Sequence, residues 1–222
     1  MDKILSHYTQ FHVLVDILHK KHIVFGNPCN WEDKTDYKIL REYAEELGLG
    51  DEDIRALCFT ELPKKLYDSI LHWKIYAPGK AGCRIDFDKN ILKNVIEQHG
   101  LELKKMDYLN TEDLEKHPEK WHGKPPFLKR SPYNYEHEWR VLRLGKLKKD
   151  DVFELNIENV FSKIIKCVKL SPDMPRKLAK NLRDFINDYG IKAEHSWICE
   201  NPEWERIVKK SLTRTSNHRS KT

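Results

Sequence analysis

Hydrophobic and polar positions along this chain switch between a period near two and a period near 3.6, and the switches outline its elements. Leu5 to Thr9 reads as a short strand, and Thr9 as the N-cap of a helix with Phe11, Leu14, Val15 and Leu18 on its apolar face. His22 to Phe25 predicts a second strand. GNPCNWEDKTD, rich in turn residues, predicts a loop in which Asn30, Trp31 and Asp33 offer amide, aromatic and carboxylate groups to a ligand. Tyr37 to Leu47 has helical spacing closed by Gly48, and Ile54 to Thr60 reads as a buried strand. Leu66, Ile70, Trp73 and Ala77 recur at helical spacing, predicting a helix over 62–77 that Pro78 and Gly79 stop. In GCRIDFD, Cys83, Ile85 and Phe87 alternate against Arg84, Asp86 and Asp88, and Asp88 can cap a helix striped by Ile91, Leu92, Val95 and Ile96.

From Leu101 to Arg130 the pattern is weaker: an alternating LELKKMDYL, a short acidic helix near 111–116, then a Pro- and Lys-rich connection of a length typical of active-site lids. Strands are expected at 152–157, 164–170 and 193–199. Between the last two, Ser171, Pro172 and Asp173 start a helix with Leu178, Leu182, Phe185 and Tyr189 as its stripe and Gly190 as its stop. Helices and strands thus alternate irregularly, with several strands in succession, which predicts an α+β domain over 1–208 rather than a doubly wound sheet. Residues 209–222 are polar and basic without apolar period and predict a disordered tail with weak, salt-sensitive affinity for polyanions.

Composition narrows the function classes. A chain of 222 residues with 40 basic and 35 acidic residues has a net charge of only +5, so its charge is mixed and does not by itself describe a nucleic-acid surface. The 5 cysteines are scattered without a zinc-type pair, which predicts free thiols, no structural metal and a reducing, cytoplasmic setting. No stretch has the apolar length of a signal peptide or membrane helix. Neither GxGxxG after the first strand nor GxxxxGK[ST] is present, so a bound nucleotide would need another cradle.

The chemistry concentrates in SPYNYEHEWRVLRL, Ser131 to Leu144. Read as a strand, it points Glu136, Glu138 and Arg140 one way and Trp139 and Val141 the other. Two carboxylates beside an arginine can serve one small ligand, although the same residues also suit a satisfied polar ladder. A carboxylate so placed can stabilise positive charge that develops on a ligand, and Glu138 suits that role. Glu136 could accept a proton, and Arg140 or a lysine from the 117–130 segment could pair with an anionic group.

Four pieces in order, Ser6 to Leu18, Asn27 to Asp36, Cys58 to Asp88 and Tyr135 to Leu142, resemble a bacterial and phage family known as domain of unknown function 2971. Glu32 and Lys34 flank Asp33 where that family more often has Asn-Asp-Pro, and the family name implies no activity. More distantly, His-Tyr-Thr on an early strand, Phe-Thr ending a middle strand and Glu-x-Glu before a late one are similar to the three-strand signature of ADP-ribosyltransferases. That resemblance implies a split mixed or antiparallel sheet flanked by helices, NAD as substrate, and a nucleic-acid or protein acceptor in a toxin or phage-defence setting. It puts Glu138 and Glu136 in the catalytic place and His7, Tyr8, Thr9, Thr60, Trp73, Tyr76 and Arg140 around the cofactor. The competing expectations are a non-enzymatic antitoxin or sensor module, and a nuclease whose metal is gathered by Asp86, Asp88, Glu136 and Glu138.

Overall fold

The computed structural model describes residues 4–63, 68–121, 125–147 and 152–219. Its strands are β1 (Ile4–Gln10), β2 (His22–Val24), β3 (Ile54–Thr60), β4 (Gly82–Asp88), β5 (Leu103–Lys105), β6 (Asp107–Leu109), β7 (Leu128–Arg130), β8 (Glu138–Leu144), β9 (Glu154–Asn156), β10 (Ile165–Leu170) and β11 (Ala193–His195). Its helices are α1 (Phe11–Lys20), α2 (Lys34–Glu46), α3 (Ile70–Tyr76), α4 (Lys89–Gln98), α5 (Thr111–Lys116), α6 (Phe161–Ile164), α7 (Arg176–Asn187) and α8 (Pro202–Arg219). The fold is α+β. Seven strands form one mixed sheet in the order β11-β10-β4-β1-β3-β8-β5, antiparallel except for the β10–β11 pair, and two two-stranded sheets, β2-β9 and β6-β7, lie outside it.

Alternation gives this sheet two unlike faces. Leu5, Leu57, Phe59, Cys83, Ile85, Phe87, Val141, Val168 and Leu170 point to one side, where α1, α4, α6 and α7 cover them with residues such as Leu14, Leu18, Leu92, Ile96, Ile164 and Ile186. Each large apolar side chain so buried contributes roughly 1.5–3 kcal/mol relative to exposure. The register Ser6↔Thr60, Thr60↔Glu138, Ser6↔Asp86, Tyr8↔Arg84 and Cys58↔Arg140 puts the other members of the same strands on the opposite face. That second face is polar and still buried, under α2, α3 and the segment from Pro125 to Glu136.

Two local features hold the cover in place. A Cβ on Gly82 would lie 2.0 Å from the Ala77 carbonyl oxygen, so only glycine lets the end of α3 approach the start of β4 this closely. On the sheet itself, β1 and β3 pair only at Ser6↔Thr60; further along, Ala56 of β3 bridges to Gly26 instead, and the sheet splits there.

Several expected boundaries shift. The N-cap of α1 is Gln10 and not Thr9, and α2 begins at Lys34 because Asp33 caps it by accepting from the Thr35 and Asp36 amides. The helix expected over 62–77 is helical only from Ile70, where Ser69 accepts from the His72 amide; Leu66 lies outside the described residues. Of the expected α7 stripe, Leu182, Phe185 and Tyr189 pack partly buried against the core while Leu178 is exposed, and Ala179 and Ile186 are the buried residues. The helix begins at Arg176, and Ser171 closes a turn by accepting from the Asp173 amide. Asp88 caps α4 as the spacing predicts. Helix α8 runs through residues 209 to 219, where a structureless tail was expected.

Candidate active site

Two arginines anchor the polar face, each two residues along its strand from an acid. The Arg84 guanidinium makes a two-pronged contact with Asp86, Nε to Oδ1 and Nη2 to Oδ2, both at 2.8 Å, and reaches Asp68 at 3.0 Å. Asp68 also accepts from Tyr8, Trp73 Nε1 and Ser196, at 3.2, 2.8 and 2.6 Å, and Ser6 donates to Asp86 at 2.7 Å. The second arginine, Arg140, is fully buried and reverses the arrangement. Its two-pronged partner is the remote Asp36, at 2.9 and 2.6 Å, and its Nε gives a single bond of 2.8 Å to Glu138 Oε1. The Pro126 carbonyl accepts a further bond and the Trp31 ring stacks 4.6 Å from the guanidinium carbon.

Because Arg140 takes only one oxygen of Glu138, the other is left for Lys129. The Lys129 ammonium lies 3.0 Å from Glu138 Oε2 and 3.7 Å from Asp36, and it bonds to Glu136 Oε2. Glu136 Oε1 accepts from the Tyr76 hydroxyl at 2.6 Å, and Tyr76 is 40 % exposed, so this end of the cluster is the one nearest solvent. The Glu136 backbone carbonyl is held by Thr60 Oγ1 at 2.9 Å and His72 Nε2 at 3.3 Å. A carbonyl only accepts, so the His72 proton sits on Nε2 and Nδ1 is free to accept from Ser69. Tyr108 accepts the Glu138 amide proton at 2.8 Å.

Glu136 is not on the strand. Residues 131–136 form a 3-10 turn, and His137, at φ 46°, reverses into β8 in the left-handed region that non-glycine residues seldom occupy. From that turn Glu136 meets the same ammonium as Glu138.

The two carboxyls are driven apart in acidity. Burial raises Glu136, and the Lys129 ammonium and the Tyr76 hydrogen bond only partly oppose it. Burial would raise Glu138 too, but the Arg140 and Lys129 charges outweigh it and hold that carboxyl down to about 2. Burial lowers Lys129, and Glu138, Glu136 and Asp36 together overcome this and keep it protonated. Cys58, opposite Arg140 in the register, is pushed well up by burial and is an unreactive thiol.

Of the residues expected around a cofactor, Tyr8, Thr60, Trp73, Tyr76 and Arg140 lie on this face with Glu136 and Glu138. Only Tyr76 is substantially exposed; Thr60, Trp73 and Arg140 are buried and bonded within the networks. His7 and Thr9 lie on the other face. They pair with Ile85 and Cys83 on the apolar side of β1, and His7 donates from Nδ1 to the Cys58 carbonyl at 2.8 Å where β1 and β3 part. Asp33 caps α2 and pairs with Arg130, which is its structural employment. The acids offered for a nuclease metal do not converge. Strands β1 and β3 separate Asp86 and Asp88 from β8, and among the described residues no group of three metal-ligating side chains gathers. The sequence pattern marks none of Lys129, Asp36, His72 and Tyr108 individually, although Lys129 falls in the 117–130 segment expected to supply a lysine.

A family model described as a protein of unknown function (DUF2971) matches residues 72–141, inside the span over which the sequence resemblance runs. No curated protein matches the chain. Among solved structures, Thermus sp. 2.9 DarT in complex with NAD+ is 10 % identical, with 88 % of this chain and 96 % of that chain covered and a TM-score of 0.40. The same protein in complex with ADP-ribosylated single-stranded DNA is 11 % identical over 88 % and 94 %, also at 0.40. Among the described residues no helix is long and apolar enough to cross a membrane.

Proposed function

We propose that the chain is an enzyme that breaks an N-glycosidic bond, that NAD is its substrate, and that the ADP-ribosyl group passes to a nucleophile on nucleic acid or protein. The observation that carries this is the pair Glu136 and Glu138: two buried carboxyls, bridged by one ammonium, with their acidities pushed in opposite directions. Carboxyl pairs separated in this way supply one permanent anion and one group able to exchange a proton. Glu138, anionic throughout the neutral range, is the group that would stabilise a ribosyl cation. In the step proposed, the bond from ribose C1′ to the nicotinamide nitrogen breaks and nicotinamide leaves with the bonding pair. The acceptor bonds to C1′, and its proton passes to Glu136, which is a stronger base than an ordinary glutamate. Tyr76, bonded to Glu136 and partly exposed, marks the approach. Thr60 and His72 are positioning residues that act through the Glu136 backbone.

The second reading is a non-enzymatic interaction module, favoured by the engagement of both Glu138 oxygens with Arg140 and Lys129. Incubation with NAD labelled separately in its nicotinamide and adenylate halves, together with a mixed nucleic-acid and protein extract, decides between them. The transferase releases nicotinamide and moves adenylate label to one acceptor class, and Glu138→Gln removes both signals. Wild-type release no greater than that of Glu138→Gln would leave the interaction module.

A further inference from the structure

Lys129 reaches the site by a different route from the groups it touches. Glu138 and Arg140 stand on β8, which is paired along one edge by β3 and along part of the other by β5. Asp36 comes from the first turn of α2. Lys129 instead comes from β7, three residues long, whose ladder partner is the equally short β6 in a sheet separate from the main one. Its side chain is nonetheless 8 % exposed and faces three carboxylates, those of Glu136, Glu138 and Asp36, with the Tyr133 ring 5.1 Å away.

The charges explain why it goes there. Three carboxylates face one arginine in this cluster, and Arg140 is committed to Asp36 and to one oxygen of Glu138. Without Lys129, Glu136 and the second oxygen of Glu138 would lack a counter-charge. A cation fills the space between them favourably. Lysine is the side chain suited to a reversible occupant: a compact charge on a flexible stem, with no planar fork that commits it to one carboxylate.

The geometry points to Lys129 as an internal occupant of a cation seat: in the free protein its ammonium holds the place between Glu136 and Glu138 that a positively charged substrate group takes when bound. This deepens the proposed reaction by naming the charge class the site accepts, and it rests on that reading only for the identity of the cation. Binding then requires Lys129 to withdraw with its short strand, while Glu138, Arg140 and Asp36 stay on the main fold.

The test uses the full chain and two probes, the N-methylnicotinamide cation and neutral nicotinamide, with binding read by calorimetry. Lys129→Met removes the charge and keeps the length of the side chain. It should bind the cation on the order of tenfold more tightly than the wild type, the effect of removing one competing charge, and leave nicotinamide unchanged. Equal or weaker cation binding by a folded Lys129→Met would overturn the proposal. A measurement on the wild type does not depend on that variant folding. Lys129 should be among the slowest lysines to react with acetic anhydride, and saturating cation should speed its modification several-fold. Protection that persists with the cation bound would overturn it equally. Failure of the glycosidic reading shows separately, as absence of nicotinamide release while the cation-selective gain in Lys129→Met is retained.

Discussion

The two arginine networks on the polar face use the same parts to different ends. Around Arg84, the near acid takes the two-pronged contact and the remote Asp68 is filled by donors from Tyr8, Trp73, Ser69 and Ser196, which ties α3 and the end of β11 to the sheet. Around Arg140, the remote acid takes the two-pronged contact, the near acid keeps an oxygen, and a lysine and a further glutamate enter. Fixed donors saturate the first network. The second contains two carboxyls that share one ammonium from a short, separate strand, next to a partly exposed tyrosine. A buried polar cluster is thus read as structural or chemical by which oxygens its rigid donors leave over.

The sharpest break between the two comes from equivalent changes in each. Glu138→Gln should lower nicotinamide release by about 10²–10³, the usual effect of removing one charge-stabilising group, with the fold retained by circular dichroism. Asp86→Asn, the matching change beside Arg84, should leave the rate per folded molecule nearly unchanged. Equal losses of rate in the two variants would erase the distinction. Stability should answer in the other direction. Arg84→Met strands Asp68 and Asp86, each side chain about a tenth exposed, and should cost about 3–5 kcal/mol in urea unfolding, the range for breaking a buried pair from one side.

Acid separates the two glutamates next. Glu138 is held below its unfolded value, so its contribution to stability is complete above about pH 4.5, the ordinary glutamate value, and is lost as pH falls toward 2. Glu136 is held above that value, so it favours the folded state most when protonated, and its contribution fades as pH rises through its folded pKa. Melting temperature should fall less steeply from pH 5 to 2.5 in Glu138→Gln than in the wild type, and on raising the pH from about 4.5 the wild type should lose stability that Glu136→Gln does not. Parallel curves for all three proteins would contradict the opposed acidities.

Much of this face was legible in the amino-acid order, and the rest failed for physical reasons. Strict alternation in EWRVLRL separates Glu138 and Arg140 from Trp139 and Val141, and the register confirms that separation. In SHYT no apolar contrast marks which side of β1 meets the core, so His7, Tyr8 and Thr9 are grouped by the resemblance although alternation puts Tyr8 on the face of Arg84 and the other two on the opposite one. Glu136 looked like a strand residue because nothing in its own sequence signals a left-handed His137. Asp36 is hidden by distance, since its partner Arg140 lies 104 residues away and only strand order brings them together. Lys129, in a Pro- and Lys-rich connection, has the local signature of a solvated loop. Its burial is set entirely by the carboxylates it meets.

The smallest expected effect bears on His7, which the three-strand resemblance placed on the cofactor. Its Nδ1 proton is used by the Cys58 carbonyl, its ring lies 5.8 Å from Phe59, and its strand neighbours on that side are core residues. Burial also lowers its pKa, which keeps the imidazole neutral at physiological pH and unable to offer charge to a pyrophosphate. His7→Gln keeps a hydrogen-bond donor at this place, so it should cost about 1 kcal/mol or less in stability. The KM for NAD should stay within about twofold, because no group on the Glu138 face is disturbed. Tyr76→Phe provides the contrast from that face: it removes the hydroxyl bonded to Glu136, costs about 1 kcal/mol, and should slow nicotinamide release several-fold by changing the proton affinity of that carboxyl. A tenfold rise in KM for His7→Gln, with Tyr76→Phe near wild type, would move the cofactor to the split between β1 and β3 and away from the carboxyl pair.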